Sequence, residues 1–285
     1  MTPAARLANR RLPRTATAAG RAFSYALGTL LLVACAGAPQ EPQNARVAQA
    51  ADYNRRGEAA LKEGEYRRAL ALYEAALRAD LSVEHLDGIA INSINLARVH
   101  QLLGESALAH RRLDAVLAGA DLFSLEYIAA ARLRKAMLYQ AADDLEAAAS
   151  WAAKTAEICK DNGCTWQGAL LNLRARLTLA RGDPGGALAL AGQALAVNRG
   201  RNAREEIANS LRLQAEARIR QKEFAAALAP LGDALLLDKS LGLPERIEQD
   251  LRFLAEAHAG LGRADEARAL SARAARVARQ ELKID

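Results

Sequence analysis

Three cysteines and four histidines are the residues of this 285-residue chain best suited to covalent or metal chemistry. Cys159 and Cys164 flank Lys160-Asp161-Asn162-Gly163. Asn-Gly favours a tight reversal that brings two sulfurs within reach of each other. The spacing is not the C-x-x-C of redox pairs and zinc sites, and no histidine is close in sequence. A structural disulfide is therefore favoured over a metal site, a redox pair or free thiols. His85, His100, His110 and His258 form no H-E-x-x-H or comparable ligand pair, so no metal is expected. Gly182-Asp183-Pro184-Gly185-Gly186 is glycine-rich, yet no strand precedes it and no lysine stands at phosphate-loop spacing. Neither G-x-S-x-G nor a Ser-His-Asp or paired-carboxylate arrangement stands out. These readings lean away from an enzyme and from a bound cofactor.

The remaining cysteine, Cys35, follows a different kind of segment. Residues 1–21 carry Arg6, Arg10, Arg11, Arg14 and Arg21 with no acid, and Ala22 to Ala34 is an apolar run of 13 residues. That run is too short to span a bilayer and fits the hydrophobic region of a signal peptide. It ends in Leu32-Val33-Ala34-Cys35, which resembles the bacterial lipobox. The resemblance implies cleavage of a signal peptide 1–34, acylation of Cys35 and, with Ala36 rather than Asp next, sorting to the outer membrane on its periplasmic face. Several acyl chains together anchor stably where one does not. Pro13 after Arg10-Arg11 favours general secretion over twin-arginine export. An ordinary signal peptide with a chance cysteine is the alternative.

Composition narrows the rest. Hydrophobic residues make up 51% of the chain but aromatics only 4%, because alanine, the best helix former and a small one, dominates. No stretch alternates with a strand's period of two. All-α is the expected class. Setting aside the five arginines of residues 1–35 leaves 34 basic residues against 33 acidic ones. A nearly neutral remainder lacks the electrostatic footprint of a nucleic-acid binder. Residues 35–49 read as a lipidated cysteine and flexible tether, because Pro39, Pro42 and their polar neighbours show no apolar period. Residues 50–285 read as one repeat domain.

The template of that domain is Tyr53 to Leu77. Small residues at Gly57, Ala69 and Ala76 alternate there with Tyr53, Tyr66 and Tyr73, and Gly64-Glu65 separates two helical periods. The first small position recurs at Ala97, Ala136, Ala175, Ala215 and Ala255. The second recurs at Ala109, Ala148, Ala187, Ala227 and Ala267, in steps of 40, 39, 39, 40 and 40. The intervening turn falls at Gly64, Gly104, Asp143, Gly182, Lys222 and Gly262. The pattern resembles the tetratricopeptide repeat (TPR), at a period near 40 instead of the usual 34. The resemblance implies a right-handed α-solenoid of about six helical hairpins. Ser82, Ser124 and Asn202, the last with Glu205 as a capping box, are expected to open first helices, as Asp183-Pro184 opens a second one. Pro230 is expected to bend its helix or delete a hydrogen bond. The arginine-bearing last helix is expected to cap the array.

In the TPR family, exposed first-helix positions line a concave groove that binds peptide segments. Those positions here are Asn54, Glu58, Arg98, Asn172, Arg176, Asn209, Arg212, Glu216, Arg252 and Glu256, and simple solvated faces are the alternative reading. Ile91, Ile94, Leu133 and Met137 suggest an apolar floor within it. The expectation is a non-enzymatic TPR lipoprotein, a scaffold or adaptor that binds a protein or peptide segment of a cell-envelope complex. It is similar to the group that includes β-barrel assembly lipoproteins and secretin pilotins. A cytoplasmic sensory TPR module is the alternative, should residues 1–35 not be a leader.

Overall fold

The chain divides into two units, residues 1–43 and 44–285. The computed structural model describes residues 44–160 and 164–279, all in the second unit. The signal peptide, Cys35, the first part of the tether and the Asn162-Gly163 reversal lie outside the described residues.

Twelve helices and no strand are found among the described residues. They form six antiparallel hairpins: α1 (Ala45–Lys62) with α2 (Tyr66–Leu81), α3 (Leu86–Leu102) with α4 (Ser106–Ala118), α5 (Leu125–Ala141) with α6 (Leu145–Ile158), α7 (Gln167–Ala180) with α8 (Pro184–Gly200), α9 (Arg204–Arg220) with α10 (Phe224–Leu241), and α11 (Pro244–Gly260) with α12 (Ala264–Arg279). The fold is an all-α solenoid of TPR-like hairpins.

One backbone device makes all six reversals. The second residue past the first helix is left-handed: Gly64 at φ 76°, Gly104 at 74°, Asp143 at 60°, Gly182 at 82°, Lys222 at 63° and Gly262 at 75°. The next residue then donates its N–H to the carbonyl five places back, as Glu65 to Ala60 at 2.8 Å and Asp144 to Tyr139 at 2.9 Å. This is the six-to-one bond that closes a helix when the residue past its end turns left-handed. Glycine enters that region freely, whereas Asp143 and Lys222 hold it against the steric preference of an L side chain.

The small positions then let the two helices close. Ala69, Ala97, Ala109, Ala136, Ala148, Ala175, Ala215 and Ala227 are 0% exposed. A methyl added at Gly57 would lie 3.0 Å from the Tyr73 ring, so the ring would have to give by a few tenths of an ångström to admit it. Ala267 is only half-buried, since no further described hairpin packs over it, and α12 turns Arg268 and Arg273 to solvent.

Helices α1, α3, α5, α7, α9 and α11 each also touch the next of their own set, whereas the even-numbered helices do not touch one another. The odd helices are thus more closely spaced and form the inner layer, and the array curves towards them. Its curvature carries the start of α2 to the start of α11, where the Tyr66 hydroxyl donates to Glu245 Oε1 at 2.8 Å across 179 residues.

Several boundary expectations are corrected. Residues 45–49 are helical, because Asn44 caps α1 by accepting from the Arg46 N–H at 2.9 Å. Ser82 closes α2 rather than opening α3. Asn202 takes φ 53° in the connector, and Ala203 immediately precedes α9, so the capping box does not form. Ser124 does precede α5, without a side-chain cap bond. Asp183 caps α8 by accepting from the Gly186 N–H at 2.8 Å. Helix α10 continues through Pro230, whose missing N–H leaves the Ala226 carbonyl without its intrahelical donor.

Candidate binding face

Three of the residues assigned to the groove are used to lock one repeat to the next. Asn54 donates to Asn92 Oδ1 at 2.6 Å, and Asn92 donates to Asp80 Oδ2 at 2.8 Å. Ser210 donates to Asn172 Oδ1 at 2.8 Å, and Asn198 donates to Ser210 Oγ at 3.1 Å. Arg212 Nε donates to Asp250 Oδ1 at 2.6 Å, and its Nη2 pairs with Asp238. Each joint uses the same geometry. A first helix bonds to the residue 38 positions later on the next first helix, and the intervening second helix supplies a partner 12 positions before that. In the other two joints the first-helix positions are Ile94 with Ala131 and Leu133 with Leu170, all buried in apolar clusters. Asn172 and Arg212 are 1% and 2% exposed. They are joint residues, not groove residues, and Ile94 and Leu133 are likewise core.

The third joint carries two carboxylates on one guanidinium. Burial pushes Asp238 up to about 7; Arg212 opposes this and neighbouring Asp250 adds to it. Asp250 Oδ2 is buried with no hydrogen-bond partner.

The accessible inner wall holds the remainder. Arg98 is half-buried and 3.8 Å from Glu58, which also accepts from the Tyr73 hydroxyl at 3.0 Å. Arg176 Nη2 donates to Asn209 Oδ1 at 2.9 Å. Glu206 accepts from Asn172 at 2.6 Å and from Asn209 at 3.4 Å. Ile91 is exposed and Met137 half-buried. Arg252 is exposed and paired along its own helix with Glu248. Glu256 is exposed beside it, and burial raises the pKa of Glu216.

Two residues of the wall were missed by sequence reasoning, Arg134 on α5 and Arg246 on α11. Both stand outside the two first-helix offsets that were carried from repeat to repeat. Among the described residues Arg134 has no hydrogen bond or ion pair, and Arg246 reaches only Gln249 at 3.4 Å. Withdrawal from water, and then the charge of Arg98, pull Arg134 down to about 10, while Glu206 opposes the shift. Burial and then a neighbouring arginine lower Arg176 and Arg246 in the same way, and nearby carboxylates, Glu206 among them, oppose both shifts.

The chemistry-bearing residues singled out first fall elsewhere. Cys159 and Cys164 have Cα atoms 4.9 Å apart with their sulfurs adjacent, within the range a disulfide spans. His100 is buried and 2.7 Å from Glu105; His85 is 2.7 Å from Asp80. His110 stacks obliquely on Tyr139, with centroids 4.8 Å apart. Among the described residues no group of three or more His, Cys, Asp or Glu is placed to hold a metal. None of the described helices is long and apolar enough to cross a membrane.

No family profile matches the sequence. No curated protein matches it either. Solved structures do resemble it in fold. The structure of Rap protein complexed with Competence and Sporulation Factor is 14% identical with a TM-score of 0.61, over 82% of this chain and 66% of that one. BtubC from P. vanneervenii is 18% identical with a TM-score of 0.55, over 85% and 95%. PilF of Pseudomonas aeruginosa is 17% identical with a TM-score of 0.53, over 84% and 96%. At such identities the likeness is one of fold, and it places the chain among TPR-like α-solenoids.

Proposed function

We propose that the chain is a non-enzymatic scaffold that holds a segment of another protein against its inner wall. The observation that carries this is the division of labour among polar first-helix residues. Asn54, Asn172 and Arg212 spend their hydrogen bonds inside the joints, while Arg98, Arg134, Arg176 and Arg246 keep donors on the wall. Rigid walls that present unspent donors suit recognition of a chain whose backbone and carboxylates need partners. The fold shared with PilF and with Rap bound to its factor is consistent with that use.

In this reading Cys35 anchors the scaffold in the outer membrane, and the wall serves assembly or localisation of an envelope complex from the periplasmic face. Anchoring raises the effective concentration of wall and guest, so modest affinity suffices. A photocrosslinking residue at position 176, with mass identification of the adduct, tests the scaffold. Capture of one discrete protein is expected, and no adduct from any wall position would refute it. Palmitate labelling lost in Cys35→Ser tests the anchor. Wild-type chain that takes up no label favours the second reading, a cytoplasmic sensory module, for which the likeness to Rap complexed with its factor is the motive.

A further inference from the structure

The two end faces of the array are complementary to each other. We infer that the chain docks head to tail on a second copy of itself, with α1 of one copy seated between α11 and α12 of the other. This goes beyond the scaffold reading and stands whatever the inner wall holds.

The joints inside the chain define what such an end must carry. Counted from the small residue of each first helix, a joint pairs the residue three places before it with the residue five places before it on the next hairpin. Asn54 meets Asn92 in this way, and Arg212 meets Asp250. Among the described residues no hairpin precedes the first or follows the sixth, so half a joint stands open at each end. At the sixth hairpin that half is Arg252, three before Ala255; at the first it is Asp52, five before Gly57. Arginine and aspartate are the residue types that close the last internal joint.

Residues four apart share a helix face, so the same stacking sets Glu256 opposite Arg56 one turn further along. The two pairs run in opposite sense, cation to anion and then anion to cation. A slip of one turn either way would set Arg252 on Arg56 or Glu256 on Asp52, and like charges oppose it. The charges thus select one register.

Shape and exposure agree. An open cleft between α11 and α12 is lined by Arg252, Ala255, Glu256, Ala259, Ala267 and Ser271, in the place where α11 itself packs against α9 and α10. Asp52 and Arg252 are 48% and 71% exposed, whereas Arg212 and Asp250 are 2% and 0%. In the free chain Asp52 is held by Arg55 and Arg56 and Arg252 by Glu248, all along their own helices. Exposed pairs of that kind contribute little and yield to a better partner. Ala278 stands where Asp80 and Asp238 supply a second carboxylate to their joints, so Arg252 meets one aspartate and the pair is neutral. Ala259 and Ser271 replace Ile219 and Leu231 of the internal joint. The contact between copies therefore buries less apolar surface and also bears the cost of association, which makes it weak and dependent on charge. A head-to-tail contact leaves both far ends open, so copies add in a row instead of stopping at two.

The test is sedimentation velocity of the full chain carrying Cys35→Ser, which removes any acyl chain, across a range of concentration at low and high salt. Mean mass is expected to rise continuously with concentration, and less steeply at high salt. Asp52→Arg and Arg252→Asp each set like charges at the contact, and each is expected to weaken association about tenfold or more. An equimolar mixture of the two restores it, because each then offers the charge the other lacks. Arg273→Asp, a reversal on the part of α12 turned to solvent, leaves association unchanged. Circular dichroism confirms that each variant folds. A mass independent of concentration, a mass that stops at two copies, indifference to both reversals, or a mixture no more associated than its components would overturn the inference. None of these outcomes bears on crosslinking at position 176, which tests the scaffold separately.

Discussion

At the scale of single residues, the most consequential arrangement is Arg212 between Asp238 and Asp250. One guanidinium cannot neutralise two buried carboxylates, so the folded state holds a proton at this joint that the unfolded chain releases. Asp238 titrates near 7 when folded, against an ordinary value of 3.8. The folded state therefore binds more protons between those values, and stability must fall as pH rises through that window. The contribution is full below the unfolded value and gone above the folded one. Thermal unfolding from pH 4 to 8 is expected to show a downward component in wild type that disappears in Asp238→Asn. Identical pH profiles for the two proteins would contradict it.

At the scale of helices, the joints between hairpins depend on where glycine permits a polar side chain to fit. A methyl at Gly168 on α7 would lie 1.8 Å from Asn198 Oδ1, the residue that donates to Ser210 across the joint. Gly168→Ala should cost about 1–3 kcal/mol through forced repacking. Gly232→Ala on α10 meets nothing within 4 Å and should gain up to about 1 kcal/mol from helix propensity. Urea unfolding of the pair checks both signs, and a neutral Gly168→Ala would mean the joint is loose.

This level also marks what the sequence could disclose. The alanine register and the six turn positions were legible, because each imposes a size or a backbone angle at a fixed interval. The joints were not. Asn54 and Asn92, or Arg212 and Asp250, are meaningful only as pairs 38 apart, and that spacing emerges once the stacking of first helices is known. Asn172 reads as a surface amide for the same reason, since nothing local to it says that Ser210 will arrive. Connectors misled differently. Asn202 has a capping residue's chemistry, but its backbone at φ 53° is used for the turn.

At the scale of the repeat unit, each hairpin rests on its neighbours, so stability accumulates by stacking and folding can proceed through local contacts. Among the described residues one bond departs from that rule, the one from Tyr66 to Glu245, 179 residues apart. Replacing Tyr66 with Phe removes it and little else. Spin labels on α2 and α11 should then report a longer and broader distance distribution, with the unfolding midpoint nearly unchanged. An unaltered distribution would show that stacking alone sets the curvature.

Consecutive hairpins pack helix on helix, whereas among the described residues the first and last meet through the Tyr66–Glu245 side-chain bond alone. An exposed hydrogen bond contributes only about 1 kcal/mol, so on the order of one molecule in six has the clasp undone at any instant. The two ends of the array are therefore tied only part of the time, and its curvature can widen and narrow about that one side-chain contact.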